Sequence, residues 1–376
     1  MQNDAVAIIF SSLNGNTNSS LTIDRTVAAI PYASRYRLVD FSISNLVNSD
    51  ISNIHLVANY NYRSLVEHIG SGKDYDLARR RGGIHFISPF HTTQSTSVKL
   101  FSTHLEALIS MKDYIDAFKE DYVLLLDTDH IINVDFKDVI KEHKLSGAPL
   151  TILTYELNKE RFFKSPRMMI HSENGCVNDI LISNSLDGYH GELCINHFII
   201  NKKYIQNLIT VALAYKYLSL TDMLLRKYKS DGYASYKYTG YFANVSDFED
   251  YYRYSVELAT NEEERKSLLG ISERPIYTRV HNSSPVIYGS FANVSNSIIA
   301  DECKIDGTVI NSVIFRNVYI EKGAVVKNCV LFHGTRIGKN CNINSIVTDK
   351  FVTVTDDVSL SGNNNLPFYV EKNRRI

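Results

Sequence analysis

The chain is poor in the residues that would commit it to metal clusters, cross-links, nucleic acid or a membrane. Its five cysteines (Cys176, Cys194, Cys303, Cys329 and Cys341) form no CxxC pair and no zinc-ligand spacing. That excludes a zinc ribbon or a thioredoxin-like motif and leads us to expect reduced thiols in a cytoplasmic protein. Neither sign of charge dominates: 40 Lys and Arg stand against 41 Asp and Glu, a formal net charge of −1. A nucleic-acid surface would show a basic excess, so neither nucleic acid nor an acidic membrane is expected as a partner. No apolar run is long enough to span a bilayer, and the N-terminus does not read as a secretory leader. Tryptophan is absent, which by itself excludes no function.

A further scarcity is local. Ala5–Phe10 reads as a buried strand, and residues 11–21 follow it where a nucleotide-handling α/β domain would hold phosphate. That loop carries one glycine, Gly15, and no Lys or Arg. Phosphate loops need several glycines, so that backbone N–H groups can approach the oxygens, and usually a cation as well. The surroundings of the loop suggest a nucleotidyltransferase, whereas its content does not.

Two periodicities divide the 376 residues, a length that allows two substantial cores. Up to about residue 260, short apolar runs alternate with amphipathic stretches. Residues 5–10, 53–58, 122–126 and 150–155 read as buried strands; residues 42–48, 102–118, 134–146 and 222–228 read as helical. Such alternation predicts a Rossmann-like α/β domain with a mostly parallel sheet, whose ligands bind at the carboxyl ends of the strands. Both the first loop and the Asp127–Asp129 segment fall at that edge.

From about residue 285, apolar residues recur every six positions: Ile299 and Ile305; Ile314, Ile320 and Val326; Leu331, Ile337 and Ile343. Small or polar residues fill the gaps. Hexapeptide periodicity predicts a left-handed parallel β-helix, in which each coil buries its apolar positions against the next. We therefore expect a nucleotidyltransferase-like domain over 1–269, a linker over 270–285 and a β-helix over 286–376.

A nucleotidyl-transfer head joined to a hexapeptide β-helix points to sugar-phosphate nucleotidyltransferases, and several segments sharpen that. Residues 36–45, YRLVDFSISN, resemble the YRIIDFPLSN segment of the bacterial ADP-glucose pyrophosphorylase (glucose-1-phosphate adenylyltransferase) family. The stretch from His68 to Lys73, followed by Asp76-Leu77 and Gly82-Gly83, is similar to that family's HIGSGKPWDL…GG. Residues 122–136, YVLLLDTDHIINVDF, resemble its YVLVLSGDHIYKMDY. The resemblance covers essentially the whole chain. It implies ATP, glucose 1-phosphate and Mg²⁺ as the chemistry of origin, with transfer by positioning and charge stabilisation rather than by a protein nucleophile.

The departures are as systematic as the matches. The family's GGxGTR loop aligns with residues 12–17, where only Gly15 remains and Thr17 stands for the arginine. Its Lys-Pro pair aligns with Val27-Ala28, and its GTADA with Thr103-His104-Leu105-Glu106-Ala107. The segment whose lysine holds the sugar phosphate falls around Ile182-Ser183-Asn184, with no lysine. Asp129 matches the family's catalytic aspartate, but the second carboxylate matches Asn244, which offers an oxygen without charge, and Mg²⁺ sites rely on carboxylates. Losing one such stabiliser typically costs about 10²–10³ in rate. The resemblance thus leaves Asp129 as a catalytic remnant and Gly15, Glu106 and Asp222 as remnants of the substrate pocket. Asp129 also reads as the cap of the turn into the next helix, and Asp222 as a helix N-cap. Asp127-Thr128-Asp129 forms a DxD pattern, a rewired metal site in the alternative reading. Arg35 and Arg37 align with basic residues that, in the family, lie by an effector cleft for phosphorylated metabolites; Arg forks suit phosphate. The triplet 79–81 is basic as well, a pattern more usual on a solvated face.

Two functions of different class follow as expectations. One is a non-catalytic or very weakly active regulatory subunit, joined to a catalytic ADP-glucose pyrophosphorylase subunit in a heterotetramer of glycogen biosynthesis. It would need no cofactor, with Mg²⁺ relevant only to residual activity; self-association and a sugar-phosphate effector are further expected partners. The other is an active sugar-1-phosphate nucleotidyltransferase using Asp127 and Asp129 for metal. A sensor that binds sugar phosphate without turnover is a third, weaker reading.

Overall fold

Continuous apolar runs make the central strands. In chain order the main elements of the first two-thirds are β1 (Ala5–Phe10), α1 (Leu38–Asn48), β2 (Asn53–Val57), α2 (Arg63–Ile69), β3 (Gly83–Ile87), α3 (His104–Ser110), α4 (Lys112–Ala117) and β4 (Tyr122–Asp127). They continue with α5 (Phe136–Ser146), β5 (Leu150–Tyr155), β6 (Phe162–Glu173), β7 (Cys176–Ser185), β8 (Glu192–Asn201), α6 (Lys202–Tyr215), α7 (Leu220–Asp231), β9 (Ala234–Tyr238), α8 (Phe248–Thr260) and α9 (Glu262–Leu269). The computed structural model describes residues 4–11, 20–78, 82–88, 100–157, 162–185, 191–245 and 247–376. By contacts these fall into two units, one drawn from Met1–Gly15, Ser42–Tyr62 and Gly70–Phe242, the other from Asn16–Phe41, Arg63–Ile69 and Ala243–Ile376.

The first unit is built on a nine-stranded sheet in the order β3-β2-β1-β4-β8-β5-β9-β7-β6. Strands β3, β2, β1 and β4 run parallel, as do β5 and β9; β8 enters antiparallel between β4 and β5. All six residues of β1 are buried, as its unbroken apolar sequence requires of a strand covered on both faces. Val6, Ile8 and Phe10 pack with Val123 and Leu125 of β4, Leu105 and Leu108 of α3 and Ile205, Leu208 and Ile209 of α6. The predicted helix over 102–118 is broken at Met111 into α3 and α4. Met111 itself is fully buried, so the break seats its side chain in the core. Helix α5 begins at Asp135, whose side chain accepts from the Lys137 N–H, and ends at Gly147 with φ 65. Among the described residues no single helix is long and apolar enough to cross a membrane. Helices α6 and α7 reach the length only as a pair bent by 113°.

The second unit contains the left-handed parallel β-helix, three five-stranded parallel sheets that share one stack of coils. Its register matches the six-residue spacing of the sequence. Ile305, Ile320, Ile337 and Val354 lie in one column; Ile299, Ile314 and Leu331 in another; Val309, Val326 and Ile343 in the third. At one corner Asn296, Asn311 and Asn328 take the left-handed conformation, with φ of 45, 51 and 49, which asparagine tolerates better than most residues. Their side-chain amides hand hydrogen bonds from coil to coil, Asn296 to Asn311, Asn311 to Asn328 and Asn328 to Asn344, at 3.3, 3.3 and 3.0 Å.

The boundary between units follows contacts rather than the expected cut near residue 270. Arg25 holds Asp349 by two buried hydrogen bonds of 2.6 and 2.8 Å, and Tyr369 donates to the same carboxylate at 2.6 Å. From α8, Tyr251 donates to the Pro31 carbonyl at 2.7 Å and Tyr252 to the Asn328 carbonyl at 2.8 Å. Residues 20–41 and α8 are thereby part of the β-helix unit.

Candidate functional site

Phe10 and Asp127 are register partners at the carboxyl ends of β1 and β4, the edge where such sheets bind ligands. Thr103 caps α3 by accepting from the Glu106 N–H at 3.2 Å, and Glu106 accepts in turn from the Ser102 N–H at 2.6 Å. This reciprocal capping box turns Glu106 back onto its own helix. It also fixes His104, the first residue of α3, over the sheet edge. There His104 Nε2 lies 2.7 Å from Asp127 Oδ1, and the edge of its ring meets Phe10 at 4.6 Å and 88°. Burial opposes the imidazolium, yet Asp127 and Asp129 raise the His104 pKa above the ordinary histidine value.

Asp129 sits between two imidazoles in the field of one guanidinium, that of Arg167. Its Oδ1 is 2.7 Å from Nδ1 of His130, a side chain 1% exposed that stacks on Phe242. Burial raises the Asp129 pKa, but His130, Arg167 and His104 together hold it well below the usual carboxylate range. A space of about 110 Å³ adjoins the His104–Asp127 pair, lined also by Phe10, Met168, Ser219 and Leu224 among others. Small-molecule sites commonly measure roughly 300–1,000 Å³.

The family's Mg²⁺ finds a poor donor set here. Asp127 is engaged by His104, and Asp129 lies against His130 within the field of Arg167, so neither carboxylate is left free for a hard cation. Among the described residues no group of three or more His, Cys, Asp and Glu side chains is arranged to hold a metal ion. The residues present do not fit Mg²⁺. The cap of α5 is Asp135 rather than Asp129. Likewise, the N-cap of α7 is Ser219, whose hydroxyl accepts from the Asp222 N–H at 3.1 Å, so Asp222 lies one turn inside, exposed. Asn244 is buried in the second unit. Gly15 and the arginines at 79–81 lie outside the described residues. Sequence reading did not single out His104, His130 and Arg167. The usable signal was that His104 and Asp127 are both departures, each carrying an ionisable group, in two segments that end at the same sheet edge.

The matching segments are largely scaffold. Asp40, from the YRLVDF stretch, lies fully buried 2.7 Å from His68 Nε2, from the HIGSGK stretch. Asn45 donates to the Ile132 carbonyl at 2.9 Å and accepts from the Val134 N–H at 3.3 Å, tying α1 to the segment after Asp129.

A second cluster lies wholly in the β-helix unit. The turn at Ala33 and Ser34, both buried with φ of 47 and 68, presents Arg35 at the surface. Non-glycine residues held in that region store strain, which tends to collect at functional sites. Arg37 donates to the Ser64 carbonyl at 2.6 Å. Burial, Arg37 and Arg25 together push the Lys350 ammonium down to about 8. A lysine forced into like-charged company has the electrostatics of an anion site.

The chain thus carries a nucleotidyltransferase-type domain and a hexapeptide β-helix. A nucleotidyl transferase family model matches residues 6–163, and a GlmU-like C-terminal hexapeptide model matches residues 287–366. The chain is 29% identical over 375 residues to the glycogen biosynthesis protein GlgD of Bacillus subtilis (strain 168), covering 98% of this chain and 96% of the relative. It is 27% identical to the glucose-1-phosphate adenylyltransferase of Mycoplasma mobile, covering 87% and 86%. To that of Geobacillus stearothermophilus it is 28% identical, covering 87% and 84%. Over nearly its whole length the chain is thus similar to a glycogen biosynthesis protein and, over most of it, to glucose-1-phosphate adenylyltransferases.

Proposed function

We propose that this chain is a non-catalytic or very weakly active regulatory subunit of bacterial glycogen biosynthesis. It joins a catalytic ADP-glucose pyrophosphorylase subunit in a heterotetramer and modulates the conversion of ATP and glucose 1-phosphate to ADP-glucose and pyrophosphate. The observation that carries this reading is the state of Asp127 and Asp129, which lie against His104 and His130, with Arg167 acting on Asp129. Residues with scaffold roles, such as Asp40, His68 and Asn45, are kept where the phosphate-handling ones are lost. A partner selected for assembly alone would show that division. The subunit acts by stabilising the active conformer of its partner, a population shift set by differential contacts. Arg35, Arg37 and Lys350 are its effector-binding residues, for a phosphorylated metabolite. It works in the cytoplasm and needs no metal of its own.

The test is pyrophosphate release from ATP and glucose 1-phosphate with Mg²⁺, by this chain, by a catalytic paralogue and by the two co-purified. Silence alone with raised or retuned activity in the mixture is expected. Robust turnover by this chain alone would sink the reading in favour of an active transferase built on Asp127 and Asp129.

A further inference from the structure

The amino ends of the parallel strands, at the edge of the sheet away from Asp127, border a second space. It measures about 600 Å³ and is lined wholly by residues of the first unit, with Ala5, Asn53 and Gly82 at or beside the starts of β1, β2 and β3. That volume lies within the usual range of small-molecule sites. One wall is aromatic. His55 and His85 are register partners on β2 and β3, their rings stacked at 5.0 Å. Phe118 and Tyr114, at the end of α4 and within it, meet the His55 ring at 4.9 and 6.1 Å. His55 is 5% exposed, and its Nδ1 makes no hydrogen bond among the described residues. Burial and the neighbouring His85 push its pKa down to about 4, against the pull of Glu120. The ring is therefore neutral at neutral pH, and one of its nitrogens is an acceptor.

The polar lining is rich in acceptors. Glu120 accepts from the Asn53 side-chain amide at 3.1 Å and from the Lys119 backbone N–H at 2.9 Å, which fixes its carboxylate and leaves lone pairs to spare. Asp4 and Asp50 add two more carboxylates. Their ion pairs, to Lys144 at 3.7 Å and to Lys137 at 2.8 Å, are exposed and of a kind that contributes little. Against these three anions the described lining holds one lysine, Lys119, and no arginine. A ligand that matches such a wall donates hydrogen bonds, carries positive charge and sets it against aromatic faces, whose quadrupole attracts cations. We propose that this cavity binds a small organic ammonium ion, with Glu120 as its charge partner, His55 as a neutral acceptor and Tyr114 as its aromatic cover. The site is separate from the Asp127 edge and from Arg35, Arg37 and Lys350, so it goes beyond the regulatory reading and does not depend on it.

Putrescine and tyramine, an aliphatic and an aromatic amine, are the probes, titrated by calorimetry into the full chain at pH about 7, where both are protonated. The controls are 1,4-butanediol, which has the length of putrescine without its charge, and inorganic phosphate. Saturable binding of either amine with Kd below about 1 mM is expected, with neither control binding. E120Q keeps the acceptor for Asn53 but not the charge, and should weaken the amine at least about tenfold. Y114A, at a half-exposed position, should weaken it about threefold. In NMR spectra the ring signals of His55 should move on addition of the amine and those of His104 should not. Failure of both amines to bind below about 1 mM would overturn the proposal. So would equal binding by wild type and E120Q, or a response at His104 in place of His55. Binding of phosphate instead of the amines would overturn it too, by showing a cavity that selects anions.

Discussion

Asp127 accepts from His104 while Asp129 adds negative potential, so the imidazole titrates above its ordinary range despite burial. A basic group whose folded pKa is raised stabilises the fold fully below its unfolded value, near 6.5, and loses that contribution as pH rises through the folded value. The unfolding free energy of wild type should therefore exceed that of H104Q most at about pH 6, and the gap should narrow toward about pH 9. Urea titrations of both proteins at the two pH values check this, and a gap that widened with pH would contradict it. Lys350 has the opposite sign. With its pKa pushed down to about 8, its charged form strains the fold at neutral pH, and the strain is relieved only as pH rises past that value. K350M should gain stability on the order of 1–3 kcal/mol at pH about 7 while losing affinity for inorganic phosphate, used as the probe anion. In the wild type, binding of that anion should weaken as pH rises through about 8. Calorimetry at two pH values reads both effects. Stability and binding that fell together in K350M would make Lys350 structural.

At the level of elements, the capping box Ser102–Glu106 joins local sequence to the site. Replacing Glu106 by alanine should cost about 1 kcal/mol of stability, seen as a lowered thermal midpoint. It should also loosen His104, seen as a changed imidazole titration by NMR; an unaltered titration would separate cap from site. Much of the architecture was legible at this level. The columns Ile305–Ile320–Ile337 and Val326–Ile343 are visible as a six-residue recurrence, because each coil repeats the same inward positions. Strands β1 and β4 are visible as unbroken apolar runs. The hairpin β6–β7 was not, since β7 buries only two of its first six residues and mixes Asn, Asp and Ser among the rest. The break at Met111 also escaped notice, because 102–118 keeps a helical apolar pattern on both sides of it. At the site, Asp127 and Asp129 stand out by sequence pattern alone. Their neutralisation does not, because His104 comes from 23 residues earlier and Arg167 from another strand.

For the whole molecule, the ion pair between Arg25 and Asp349 is the longest-range tie we describe, 324 residues apart and 5% exposed on each side chain. Removing one partner leaves the other charged and buried, so R25A should cost about 3–5 kcal/mol. The double variant R25A/D349N should cost less than the sum of the two single changes, as chemical denaturation of the three proteins would show. A loss in the double variant equal to the sum of the two single losses would mean that the two residues act separately.

That tie also bears on how the protein is made. Arg25 leaves the ribosome 324 residues ahead of the carboxylate it needs, which lies on a later coil of the β-helix. Until Asp349 has emerged, an arginine destined for the interior has no counter-charge, and the buried turn at Ala33 and Ser34 has no completed unit to hold its strained backbone. Domains usually mature from the N-terminus onward as they are translated; here the earlier segment must wait for the later one. Nascent chains stalled before Asp349 should therefore lean on chaperones and be cut readily by proteases across residues 20–41, and resist once that coil is released.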